Sequence, residues 1–436
     1  MSHRSLPGLT RPAWHFVVLL VGVLGTAGLA VAAEEEPAWP QFHGPRRDNL
    51  STETGLLKQW PEGGPRRVWT AQGLGHGYAT VSIARGMMYT SGNIGGKTVI
   101  TALDLAGRTL WQVENGKAWE EPQGGARGTP TIGGEHLYHE NPYGDVVCLE
   151  AKTGKKVWGL SLLERFPSKP PTWGLAESLL MDGDRVICCP GGSETAVVAL
   201  DKRDGRTLWK SPSTGTPRGD AGTPRGDAGD LAGYASPTLT EHQGLRMIMT
   251  LTSKAMIGVN ADTGDLLWRF EHVTPFDENI LMPLFHDGHV FVCTRTTGSV
   301  LLRIDASGGK ASVTPVWRST DLDNQHGGVV LVDGYLYGSC LGPRWVCLEW
   351  KTGRTMYDAP GVGKGSVTYA DSMLYTLSEE GRMGLVKATP AGHDLVSEFR
   401  IPKGGEGPSW AHPVVCGGRL YIRHGDFLYA YEIRQP

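Results

Sequence analysis

The sequence predicts an all-β protein, an eight-bladed β-propeller of four-stranded blades. Three observations predict it: a short phrase that recurs along nearly the whole chain, recurrences spaced at blade length, and a composition suited to strands joined by tight turns. The phrase is an apolar stretch, an acidic residue, a Gly-centred turn, a basic residue and Trp. It reads Ala102-Leu103-Asp104-Leu105-Ala106-Gly107-Arg108-Thr109-Leu110-Trp111, and returns from Cys148 through Gly154 to Trp158 and from Ala199 through Gly205 to Trp209. Further copies run from Val259 through Gly264 to Trp268 and from Cys347 through Gly353 to Tyr357. The 436 residues include 61 Gly, and 14 Trp against 9 Phe, a balance typical of a β-rich chain with many turns.

The start of the chain reads as a secretory signal over 1–33: Arg4 and Arg11, an apolar run from Phe16 to Leu24, then the small residues Ala30-Val31-Ala32-Ala33. Cleavage after that run leaves an exported protein, periplasmic or extracellular, with no membrane span. Retention as an anchor is the alternative, because Trp14 to Ala33 is nearly long enough to cross a bilayer. An N-terminal extension (34–54) leads into the propeller (55–433).

Within each unit the Gly supplies the turn residue able to take positive φ, the acid hydrogen-bonds the turn backbone, and the aromatic closes the last strand. Upstream lie two more strand signals: a small-residue strand such as Arg127-Gly128-Thr129-Pro130-Thr131, and an apolar strand after a Gly turn such as Gly334-Tyr335-Leu336-Tyr337. The closing aromatics are Trp69, Trp111, Trp158, Trp209, Trp268, Trp317, Tyr357 and Phe399, between 40 and 59 residues apart. Eight blades follow, or seven if the weak unit near 360–400 merges with its neighbour. No closing aromatic follows the last strand, Phe427 to Glu432, so Pro65 to Trp69 is expected to complete that blade from the other end of the chain. The longest spacing has its cause in Thr216-Pro217-Arg218-Gly219-Asp220-Ala221-Gly222, repeated at once over 223–229, which predicts a mobile insert over 211–230. Its two Arg-Gly-Asp triplets are read as a short duplication in a tolerant loop.

The net charge of −3 and the absence of any Lys/Arg block exclude nucleic acid as a partner. Seven cysteines exclude a complete disulfide framework. Cys148 and Cys347 occupy the repeat position held elsewhere by Ala102, Ala199 and Gly258, and read as buried hydrophobes. The chain has no His-Glu-x-x-His, no nucleophile elbow, no phosphate loop and no Cys-x-x-Cys-His haem motif.

This unit resembles the repeat of pyrroloquinoline-quinone (PQQ) dehydrogenases and of their non-catalytic relatives, including the outer-membrane assembly lipoprotein of the β-barrel machinery. The resemblance covers nearly everything from Gly55 to Ile433. The opening Trp39-Pro40-Gln41-Phe42-His43-Gly44-Pro45 and the late Gly363-Lys364-Gly365-Ser366-Val367-Thr368-Tyr369-Ala370-Asp371 are similar to secreted PQQ-binding-like β-propeller proteins of planctomycete-type bacteria. That resemblance implies an eight-bladed ring, export and, in the catalytic members, PQQ and Ca²⁺ as cofactors. It also draws attention to Cys188-Cys189, since some of those enzymes stack the quinone on a disulfide between adjacent cysteines. Here Pro190-Gly191-Gly192 follows the pair instead of the family's Asn and Arg, and adjacent strand residues point to opposite faces.

Candidate binding residues are those expected at the channel ends of the innermost strands: His76 and Tyr78, Arg127, Trp173 and Glu177, Tyr234, Asn279, His326, Lys364, and Trp410 with His412. Arg127 and Lys364 suit carboxylates, the Trp rings suit stacking, and Glu177 with Asn279 could offer oxygens to a metal. The metal and base motifs of the dehydrogenase are missing. The expected function is therefore an exported scaffold that binds a small ligand or a protein partner at the funnel, without catalysis. A PQQ- and Ca²⁺-dependent oxidoreductase of alcohols or sugars, and a carbohydrate- or peptide-binding module, are the alternatives.

Overall fold

Eight antiparallel sheets follow one another along the chain and close into an eight-bladed β-propeller. The computed structural model describes Gly8 and residues 38–215 and 229–436. The rest of the signal-like segment 1–33, and residues 216–228 of the insert, lie outside the described residues. Blade 1 contains Ser82–Ala84, Met87–Ile94, Lys97–Asp104 and Thr109–Lys117, running from the channel outwards. Blades 2 to 7 repeat that order over 131–161, 180–210, 238–271, 284–319, 329–360 and 365–400. The weak unit near 360–400 is a complete blade, so the count is eight. In blade 8, Val414–Cys416, Arg419–His424 and Phe427–Glu432 are completed by Arg67–Ala71, as the missing last aromatic required.

Each phrase of the repeat spans two blades. The closing Trp of one blade lies on the turn Gly of the next: a Cβ on Gly154 would sit 2.8 Å from the Trp111 ring, and one on Gly205 2.8 Å from Trp158. The same contact joins Trp69 to Gly107, Trp209 to Gly264 and Trp317 to Gly353. All five glycines have φ between +71° and +83°, a conformation an L side chain resists, so the turn and the packing both exclude a Cβ. The Trp69, Trp111, Trp158 and Trp317 indoles also donate to carbonyls of the following blade. In all eight blades the outer strand shifts register beside the closing aromatic, a bulge that adds twist.

The hydrophobic core is correspondingly divided. Eight apolar clusters each lie between two neighbouring blades, from the blade 8–blade 1 cluster around Met88 and Leu428 to the blade 7–blade 8 cluster around Tyr375 and Ile422. A buried cation reinforces the seam. Arg423 of blade 8 donates to the carbonyls of Leu74, Gly75, Ser91 and Gly425 and to the Thr90 hydroxyl.

Residues 39–51 cross the ring. Trp39 pairs its backbone with Ile83 in blade 1, and the Pro40 carbonyl accepts from Ile132 in blade 2. Arg47 is buried and donates to the carbonyls of Ser178 (2.7 Å) and Leu179 (3.0 Å) beside blade 3. Leu50–Ser51 then adds a parallel fifth strand to the inner edge of blade 7, opposite Tyr369 and Ala370. The described ends of the insert are fixed: the Thr214 hydroxyl bonds Asp230, and Gly192 N–H donates to the Asp230 carbonyl.

Candidate functional site

The segments leading from the outer strand of one blade to the inner strand of the next converge at one end of the channel. The candidate residues were expected on the inner strands and lie instead in these segments. The reason is local: Pro130, Pro237 and Pro413 lack the N–H a ladder needs, so the inner strands begin only at Thr131, Thr238 and Val414. Their freed predecessors line a cavity of about 470 Å³.

Seven predicted residues meet there: Tyr78, Arg127, Trp173, Tyr234, His326, Trp410 and His412. Trp410 packs between Tyr78 (ring centroids 4.6 Å apart) and His326 (4.5 Å), and Trp173 faces Tyr234 at 5.6 Å. The Arg127 guanidinium lies 5.8 Å from the Tyr78 ring centre. It donates to the carbonyls of Gly125 (3.0 Å) and Gln123, and among the described residues no carboxylate pairs with it. Burial lowers its pKa to about 10, opposed by Tyr78 and Tyr234, so the guanidinium is charged at neutral pH. His76 stands behind Tyr78 and approaches the Gly124 carbonyl at 3.0 Å.

Lys364 reaches the pocket wall through partners. Its Nζ is 2.6 Å from Gln325 Oε1 and 2.9 Å from Glu379 Oε1. The same Glu379 oxygen accepts from Trp410 Nε1 (2.8 Å) and lies 2.9 Å from His326 Nε2. Burial alone would raise the Glu379 carboxyl, but His326, Lys364 and Trp410 together outweigh it and hold the pKa at about 2. Gln325 Nε2 also donates to Glu278 (3.1 Å), whose carboxylate pairs with Arg295 at 3.3 Å. One wall is thus a continuous chain of donors and acceptors.

The floor comes from the segment ahead of the ring. Phe42 stacks on His43 (4.0 Å), and His43 Nε2 lies 3.0 Å from His412 Nδ1. His412 Nε2 in turn faces the His326 carbonyl at 2.8 Å. Burial, then the neighbouring His412 and Arg47 charges, hold His43 well below the ordinary imidazole range; burial lowers His412 to about 4.

Two predicted residues do not join the pocket lining. Glu177 is buried, its Oε1 accepting the Cys189 N–H at 2.7 Å, and the buried Glu140 carboxyl is its neighbour. Burial raises both carboxyls; the neighbouring Glu177 charge raises Glu140 further, while hydrogen bonds from Glu140 and Cys189 oppose the rise at Glu177. Asn279 is fully buried and spends its amide on the carbonyls of Thr252 (2.8 Å) and His272 (3.0 Å). Neither Glu177 nor Asn279 lines the pocket, although Glu177 Oε2 and Asn279 Oδ1 are buried without a hydrogen-bond partner, and among the described residues no group of three His, Cys, Asp or Glu side chains is placed to hold an ion. The lining itself offers one carboxylate, Glu278, already paired with Arg295, and that donor set does not fit a Ca²⁺-bound quinone. Cys188 and Cys189 are separate buried thiols whose side chains enter different clusters, one between blades 2 and 3 and one between blades 3 and 4.

Sequence reasoning missed Glu379, Arg295, Gln325, Glu278, Phe42 and His43. Arg295 and Glu379 occupy the hairpin turns between the second and third strands of their blades, after Thr294 and Ser378. A charged residue in the first position of such a turn was the available signal.

Residues 96–230 match the family model described as outer membrane protein assembly factor BamB. No curated protein matches the chain. Among solved structures it is similar to BamB from Moraxella catarrhalis, with 14% identity, a TM-score of 0.59, and coverage of 85% of this chain and 100% of that one. Quinohemoprotein alcohol dehydrogenase from Comamonas testosteroni gives 14% identity and a TM-score of 0.63, covering 92% of this chain and 81% of that one. The computationally designed Ika8 protein gives 10% and 0.57, with 84% and 100% covered. The family match is confined to 96–230, and at these identities the likeness to the structures is one of fold. No helix among the described residues is long and apolar enough to cross a membrane.

Proposed function

We propose that this chain is an exported binding propeller, working in the periplasm or outside the cell, whose funnel holds a small anionic ligand and whose ring serves as a scaffold without catalysis of its own. One observation carries the reading: Arg127, half-buried in an aromatic-lined pocket, has no carboxylate partner among the described residues. A cation kept charged and partly desolvated is a standing site for an anion. Glu278 is matched by Arg295 and Glu379 by Lys364, so the described wall leaves Arg127 as the surplus charge. The match to an outer-membrane assembly factor over 96–230 supports a scaffold role with a protein partner on another surface of the ring. The single and already paired carboxylate of the lining, Glu278, supports binding over quinone chemistry.

Calorimetric titration of the purified protein with small mono- and dicarboxylates tests the reading, which expects saturable binding that weakens with salt. Incubation with PQQ and Ca²⁺ tests its other half. Turnover of alcohols or sugars by the loaded protein would overturn the non-catalytic assignment.

A further inference from the structure

The pocket offers three kinds of recognition in fixed relation to one another. The first is the Arg127 guanidinium, held at two of its N–H groups by the Gly125 and Gln123 carbonyls, with its remaining donors lacking a partner among the described residues. The second is a pair of aromatic platforms, Trp410 against Tyr78 and Trp173 against Tyr234. The third is the wall Arg295–Glu278–Gln325–Lys364–Glu379, which alternates donors and acceptors. Charges in that wall are internally balanced, so the described lining carries one net positive charge.

Taken together, these features select among anions. A plain dicarboxylate would use Arg127 and leave the rings and the wall idle. An amino acid brings its own ammonium, which the single surplus cation does not favour. A ligand with a carboxylate, a flat apolar ring face and several neighbouring hydroxyls uses all three: hydroxyls donate to Glu278 and accept from Arg295 and Gln325, while the ring face packs on Trp. We propose that the ligand is a hexuronate, a sugar acid free or at the end of an acidic glycan, with its carboxylate on Arg127 and its hydroxyls on the Glu278–Arg295–Gln325 wall. This assignment rests on the anion-binding reading above.

The test is calorimetric titration of the intact protein with glucuronate, galacturonate, glucose, succinate and acetyl-dialanine, repeated on Arg127→Met and Trp173→Leu. Both substitutions fall at half-buried positions, so thermal melts are expected to stay close to the parent and show that the variants fold. The expected result is binding of at least one uronate, none of glucose at the same concentration, and a loss of roughly 10- to 100-fold in Arg127→Met from a missing charged hydrogen bond. Trp173→Leu is expected to weaken the uronate and leave succinate unchanged. Succinate or acetyl-dialanine binding as tightly as the uronates would overturn the sugar assignment while leaving the anion site standing. Silence toward every anion, or uronate binding that is unchanged in Arg127→Met, would overturn both.

Discussion

His43 Nε2 and His412 Nδ1 lie 3.0 Å apart in the floor of the funnel, joining the segment ahead of the ring to the last blade. One nitrogen must donate and the other accept, so the contact needs at least one neutral ring. Burial keeps both imidazoles neutral in the folded chain, with His412 at about 4, whereas the unfolded chain takes up its protons near pH 6.5. Protons therefore favour the unfolded state. The contribution is complete above about pH 6.5 and is lost as pH falls toward about 4. From His412 alone the loss at pH 5 is expected to be ~2 kcal/mol. Urea midpoints at pH 7 and pH 5 report it together with the other buried imidazoles, His43, His139, His272 and His326, and His412→Asn is expected to shrink the difference by about that amount.

Gly154→Ala is expected to be far more costly than Gly183→Ala. Both glycines have positive φ, but a Cβ on Gly154 meets the Trp111 ring at 2.8 Å while one on Gly183 meets nothing within 4 Å. Strain alone costs ~1–2 kcal/mol at each site, and overpacking against Trp111 adds ~1–3 kcal/mol at Gly154. Denaturant titration of the two variants separates the turn's demand from the blade interface's.

Arg423→Met is expected to destabilise the ring by about 3 kcal/mol or more, because four buried carbonyls and a hydroxyl lose donors at the seam between blades 8 and 1. Arg423→Lys should recover little of this, since an ammonium cannot reproduce the planar spread of a guanidinium. Thermal melts of both variants are the measurement.

Arg47→Ala is expected to weaken ligand binding although Arg47 is not among the residues lining the pocket. Its bonds to the Ser178 and Leu179 carbonyls and to Gln41 seat the segment that carries Phe42 and His43. Limited proteolysis should cut within 38–51 faster in the variant, and titration should show the weaker binding in parallel.

The ring was legible in the sequence because its signals are local and repeated. Trp111, Gly154 and their counterparts recur at blade spacing, and a phrase seen five times reads above the noise of any single copy. The interlock between the Trp of one blade and the Gly of the next was not legible, since each residue already had a sufficient role within its own hairpin. The funnel divided along the same line. Arg127, Trp173, Tyr234 and Trp410 stand next to recognisable inner strands and were found. Glu379 and Arg295 approach from hairpin turns whose residues vary from blade to blade, and Phe42 and His43 arrive from a segment outside the repeat. Asn279 and Glu177 occupy similar places along the chain to their neighbours, but buried partners claim them: the Thr252 and His272 carbonyls for one, the Cys189 amide for the other.

Arg67–Ala71 lies beside Phe427–Glu432, so nearly the whole chain separates two strands that must be neighbours. On a ribosome, the first of these strands waits unpaired until Phe427–Glu432 has been made. The Leu57 amide, which bonds the Ile433 carbonyl, waits with it. Middle blades can pair before then, but the circle cannot lock without the eighth blade, and truncation ahead of Phe427 leaves Arg67–Ala71 without its mate. Arrival of the eighth blade is thereby built into the architecture as a condition for the closed ring.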